Sequence, residues 1–186
     1  MTGTMGHGPK IRLGAMVLLA ALPTASTFPT IGGVAAAMPA NHVGPSAASA
    51  LAPRNVGAGD PERLADLMRR AGFRAEMATD GVGDPMIRSA ASGKLFRVMF
   101  YECTNNEDCR SIQFRAAFDL ADGTTADRMN EWNENERWTR AYVDDEGDPI
   151  LEYDVNFEGG VSPDNFQDSL RVWERSLGRF IRHVDW

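Results

Sequence analysis

From Ile112 onward the chain alternates. Ile112, Phe114, Ala116 and Phe118 fall on one side, and Gln113, Arg115 and Asp119 on the other. A period of two belongs to a strand with one covered face. Leu151, Tyr153, Val155 and Phe157 repeat it against Glu152, Asp154 and Asn156. Residues 94–102 differ, because Leu95, Phe96, Val98, Met99, Phe100 and Tyr101 place apolar groups on both faces. That predicts a central strand covered at least in part on both sides. Shorter strands are expected over residues 73–78, 86–90 and 137–143, with Trp138 and Tyr142 on one face of the last.

Elsewhere the period is helical. Asp60-Pro61-Glu62 supplies a capping carboxylate, a proline for the first helical position and an acid for the first turn. Leu64, Leu67, Met68 and Ala71 follow at helical spacing, and Gly72 is a natural stop. Thr124 or Thr125 can cap a second helix running to about Glu136, with Ala126, Met129, Trp132 and Asn133 on one face. Ser162-Pro163-Asp164 opens a third, whose apolar stripe is Phe166, Leu170, Trp173, Leu177, Ile181 and Val184. The predicted order is α-β-β-β-α-β-β-α. Strands joined by short turns pair antiparallel, so the expected fold is α+β: one antiparallel sheet of about five strands with helices packed on it.

The N-terminal part is a different material. No acidic residue precedes Asp60, and Lys10 and Arg12 stand directly before the apolar run 13–22. A positive flank and a short apolar core are the pattern of a secretory signal peptide. The run is too short for the roughly 20 residues of a spanning helix. Ala35 and Ala37 satisfy the small-x-small rule for cleavage, although a cut after Ala25 or Ser26 fits the core length better. The expected organisation is a signal peptide over 1–37, a flexible Ala/Gly/Pro/Ser linker over 38–58 and a folded domain over 59–186. Membrane contact is expected only through an uncleaved leader, and the location is periplasmic or secreted. Across the 186 residues, 19 basic groups meet 26 acidic ones, a formal charge of −7. That balance argues against nucleic acid as a partner, since neutralising phosphates needs basic surface.

Cys103 and Cys109 are the two cysteines, spaced C-x5-C around a polar Thr-Asn-Asn-Glu-Asp segment between predicted strands. In an oxidising compartment the simplest reading is a disulfide across the turn. A redox pair is the alternative, but the spacing is not C-x-x-C before a helix. A zinc site would need two further ligands, and the histidines are His7, His42 and His183, the first two in the leader and linker.

Chemistry has few footholds. His183 lies near the end of the last helix, where a histidine suits the dipole. There is no G-x-S-x-G and no G-x-x-x-x-G-K. The acids 144–148 sit in a predicted turn whose spacing departs from a calcium loop. Arg171, Arg175, Arg179 and Arg182 form a basic stripe on the last helix. A solvated face explains the stripe, and docking to an acidic partner or to a second copy of this acidic protein is the functional reading. Trp132, Trp138, Trp173 and Tyr142 read mostly as core, with an aromatic groove for a peptide as the alternative.

Several pieces form one pattern: Ser111-Ile112-Gln113-Phe114, then Asn130-Glu131-Trp132-Asn133, then Arg137 and Arg140-Ala141-Tyr142-Val143-Asp144, then Gly159-Gly160-Val161-Ser162. Together they resemble the YbjN-domain family over about residues 60–186. The resemblance implies a fold like the type III secretion chaperones, in the element order given above, and a role in sensory-transduction regulation. It brings no catalytic residues. Asn130 and Asn133, three apart on a helix, are expected to bond exposed sheet backbone, and Trp132 to pack against the sheet.

The expected function is that of an exported, non-enzymatic regulatory module with no cofactor, engaging a peptide or protein through the sheet face or a helix groove. The candidate residues are Asn130, Trp132, Asn133, Arg137, Tyr142, Arg171, Arg175 and Arg179. An exported hydrolase using Asp144, Asp148 or Glu152 is one alternative. A structural envelope protein that self-associates, as a homodimer for instance, is another.

Overall fold

A computed structural model describes residues 54–186, and the expected leader and most of the expected linker lie outside that range. The described elements are α1 (Pro61–Arg70), β1 (Glu76–Thr79), β2 (Pro85–Ala91), β3 (Lys94–Tyr101), β4 (Ser111–Ala117), α2 (Ala126–Asn135), β5 (Arg140–Val143), β6 (Pro149–Asn156) and α3 (Pro163–His183). Each helix begins where its capping chemistry places it. Asp60 accepts from the Arg63 amide at 3.1 Å, Thr125 from Arg128 at 3.3 Å, and Ser162 from Asn165 at 3.1 Å.

The strands form one sheet of order β1-β2-β3-β4-β6-β5, antiparallel throughout. The α+β class is as expected. There are six strands instead of about five, because the weakly patterned residues 73–78 do yield β1. Its glutamate, Glu76, pairs in register with Arg88 of β2.

The core lies between the sheet and α3. Trp173, fully buried, meets Phe96 edge-on at 5.5 Å between ring centroids and stacks on Phe114 at 5.6 Å. Edge and offset contacts of this kind add to the area that aromatic rings bury. Leu64 and Met68 of α1 and Phe166, Leu170, Leu177 and Phe180 of α3 join the same cluster. Gly178 lets α3 approach the β2–β3 turn: a Cβ there would stand 3.1 Å from Ser92 Oγ.

Three expectations are corrected or narrowed. β3 is fully covered on one face, where Phe96, Val98 and Phe100 are buried, and only in small part on the other, where Met99 is half-buried but Leu95 is 70% exposed and Tyr101 is exposed. The buried apolar residues of α1 and α2, and those of α3 apart from Val172, join a single core with Phe96, Val98 and Phe100. β5 starts at Arg140, leaving Trp138 outside the sheet and exposed, and Tyr142 is exposed as well. Finally, the last residues of the expected linker are part of the body. Val56 and Ala58 are buried, and Val56 exchanges backbone hydrogen bonds with Val161 at 2.8 and 2.9 Å.

Candidate functional site

Side chains that point away from the helices make a second surface on the same sheet. Its most densely bonded part is centred on Glu152 of β6, a polar residue that the alternation placed opposite the core. The Glu152 side chain is only 5% exposed. Arg140 donates to its Oε2 from Nε at 3.0 Å and from an Nη at 2.7 Å, and the Tyr142 hydroxyl donates to Oε1 at 2.9 Å. Arg115 approaches Oε1 at 3.5 Å. A charge removed from water needs compensation of this kind. Beside it, the Tyr101 hydroxyl reaches Gln113 Oε1 at 3.4 Å, and Gln113 Nε2 donates to Asp154 Oδ1 at 2.8 Å.

Proton affinities follow from these contacts. The hydrogen bond to Glu152 raises the Arg140 guanidinium further, aided by the charges of Glu152 and Asp154 and opposed by burial. Burial raises the Tyr142 phenol first and its bond to Glu152 second. Burial likewise raises Tyr101, with the Glu152 charge adding to it. These are tyrosines held neutral, suited to donating hydrogen bonds.

The register exposes a feature that spacing along the chain conceals. Glu76 pairs with Arg88, Arg88 with Arg97, Arg97 with Arg115, Arg115 with Glu152, and Glu152 with Arg140. One charged row thus crosses all six strands, with three consecutive arginines in it. An apolar row runs alongside: Ala90 pairs with Leu95, Ala117 with Ile150, and Ile150 with Tyr142. Arg88, Leu95, Arg97, Arg115, Ala117 and Ile150 line one cleft of about 660 Å³.

The residues singled out from sequence are only partly gathered here. Tyr142 belongs to the surface. Asn133 touches it from α2, donating to the Ala141 carbonyl at 2.9 Å and accepting from its amide at 2.7 Å. Asn130 does not share that role; it is exposed, without a described side-chain hydrogen bond. Trp132 is buried, donates to Thr139 Oγ1 at 3.2 Å and meets Phe180 at 4.9 Å. Arg137 stacks on the exposed Trp138 ring, 4.7 Å from its centroid.

The arginine stripe of α3 is dispersed. Arg171 pairs with Asp168 at 3.4 Å, Arg179 with Glu136, and Arg182 donates to Gly178 O. Arg175 is exposed and forms no described ion pair. His183 holds the Arg128 carbonyl at 2.8 Å, a structural tie between α3 and α2.

Cys103 and Cys109 form a disulfide, closing the loop after β3. The acids proposed for hydrolysis are occupied with structure. Asp144 Oδ1 accepts from the amides of Glu146 and Asp148, and Asp148 Oδ1 accepts from Leu120, at 2.9 to 3.0 Å. Among the described residues no three His, Cys, Asp or Glu side chains cluster as metal ligands would. No described helix is long and apolar enough to cross a membrane.

Missed from the sequence is Lys94, whose ammonium lies 3.6 Å from the Trp186 ring centroid and 4.4 Å from that of Phe118. Burial lowers its pKa, against the raising effect of Asp119 and Asp148.

Comparison with known families decides the kinship. The family model YbjN, described as "Putative bacterial sensory transduction regulator", matches residues 60–186. The chain belongs to the YbjN family. Its match covers every described helix and strand, from α1 to α3. A search of the curated proteins finds no match. The YbjN description is that of a regulator.

Proposed function

We propose that this YbjN protein is an exported, non-enzymatic regulatory module that binds a peptide or protein partner on the helix-free face of its sheet. The observation that carries this reading is the exposed polar and apolar surface around Glu152, Arg97 and Leu95. Buried ion pairing at Glu152 holds part of it rigid, and Leu95 at 70% exposed is an apolar group with no intramolecular use. Export is supported by the leader pattern before residue 38 and by the disulfide, a bond that persists in oxidising compartments.

The reading is tested in cells making the full chain, with a photo-crosslinking residue at Met99 on the open face or at Arg175 on α3. A discrete protein adduct from Met99, absent from Arg175, is expected. Adducts from Arg175 alone, or none from Met99, would move the docking surface elsewhere. Fractionation with N-terminal sequencing tests export: an uncut chain in the cytosol refutes it.

A further inference from the structure

Like charges directly opposite one another on a sheet are destabilising. Arg88, Arg97 and Arg115 are nonetheless consecutive partners across β2, β3 and β4. Arg115 has Glu152 beside it, but Arg88 and Arg97 are exposed and form no described ion pair. Residues 1–59 contain no Asp or Glu and so supply no carboxylate side chain. Glu76 stands opposite Arg88 in register but pairs with Arg74 at 2.6 Å, so two adjacent guanidinium groups are left without an ion pair, next to the exposed Leu95.

We propose that these two rows dock an acidic amphipathic helix of a partner protein, its carboxylates on Arg88, Arg97 and Arg115 and its apolar stripe over the exposed Leu95 and Ala117, with the buried Ile150 beneath them. The inference rests on the open face being the docking surface. Spacing supports a helix lying across the strands. Neighbouring strands are about 4.8 Å apart, and successive turns of a helix rise about 5.4 Å. Acids repeating every turn would stay in step with three arginines to about 1 Å, well within the reach of arginine side chains. The rows are two residues apart along each strand, about 7 Å. A helix about 10 Å across can present an acidic border and an apolar stripe to both rows.

Charge favours a short anionic segment over an extended polyanion. With Lys10 and Arg12 set aside, 17 basic residues face 26 acidic ones, a balance of −9 over the rest of the chain. A nucleic acid or an anionic bilayer would meet that repulsion over a wide area, whereas a single helix is confined to the basic cleft. Arginine's planar fork suits bidentate carboxylate contacts.

The test is calorimetric titration of the full chain with a synthetic helical peptide carrying a leucine stripe bordered by glutamates. Comparison probes are the same peptide with glutamine for glutamate, inorganic phosphate, and phosphatidylglycerol vesicles. Saturable binding is expected for the glutamate peptide, weakened about tenfold or more by the glutamine substitution or by Arg97→Glu, and several-fold by Leu95→Ser. Arg97 and Leu95 are both exposed, and circular dichroism with the melting temperature verifies that each variant folds.

No binding of the glutamate peptide, equal binding of both peptides, or unchanged affinity in Arg97→Glu overturns the proposal. Equally strong binding of phosphate or vesicles also overturns it, assigning the arginines to a bare anion or a lipid surface. If crosslinks from Met99 persist in the Arg97→Glu chain with undiminished yield, the docking face stands and only the acidic-helix assignment falls.

Discussion

Asn133 holds both backbone groups of Ala141: its amide nitrogen donates to the carbonyl at 2.9 Å and its oxygen accepts from the N–H at 2.7 Å. A side chain on α2 thereby occupies the outer side of β5, where a further strand would otherwise pair. The last two residues of the Asn130-Glu131-Trp132-Asn133 segment thus make two different contacts, Asn133 to the strand and Trp132 to the core, whereas Asn130 makes neither. Asn133→Ala is expected to cost about 1–3 kcal/mol, because it leaves two backbone groups without partners. Urea unfolding measures the loss, and faster hydrogen exchange at the Ala141 amide locates it. An unchanged exchange rate there would contradict the assignment.

Trp132 fills the space between α2 and α3 while its N–H is satisfied by Thr139. Trp132→Ala is expected to cost about 3–5 kcal/mol. Thr139→Val retains the shape and leaves the indole N–H unpaired, at about 1–3 kcal/mol. Denaturation of both variants checks the order; equal losses would mean that ring packing contributes little.

Much of the fold is legible along the chain because strands and helices declare themselves by period. Ile112 to Phe118 alternate as β4 does, and Ser162, Thr125 and Asp60 cap the helices that follow them. The open face is less legible. Leu95, Tyr101, Trp138 and Tyr142 look like core by residue type, but coverage is decided by where helices pack. Register is invisible too. Arg88, Arg97 and Arg115 are far apart in sequence and become neighbours only through the β2–β3 and β3–β4 pairings. Glu152 was identifiable as a polar-face acid, while its burial depends on Arg140 and Tyr142 arriving from β5.

The Cys103–Cys109 bond closes a short loop, with Cys109 buried. Loop-closure entropy gives it roughly 2–2.5 kcal/mol of stabilisation. Reduction of the native chain, and the double Cys→Ala substitution, should each lower the unfolding free energy by that amount, and the double variant should not respond to reductant. A reductant effect that persists in the double variant would show that the loss has another source.

Alkaline stability carries the signature of the tyrosines. Tyr142 and Tyr101 have raised phenol pKa values, burial being the leading cause in each. The folded state therefore holds these protons more tightly than the unfolded chain. Their contribution is fully present below about pH 10 and is lost as pH rises through the folded values. Lys94 works in the opposite sense: lowered by burial, it contributes stability above about pH 10.4 that is lost as pH falls through its folded value. Urea midpoints across this range should fall less steeply above pH 10 in a Tyr101→Phe, Tyr142→Phe double variant. Parallel curves would exclude the two phenols as the cause.

The described sheet ends in two strands of four residues, β1 and β5. Short rims leave few backbone groups for another chain to zip onto, and Asn133 already occupies part of one rim. Lengthening the sheet is a poor means of attachment for such a molecule. Recognition must then be written in side chains, which mutation can retune without disturbing the hydrogen-bonded ladder beneath them.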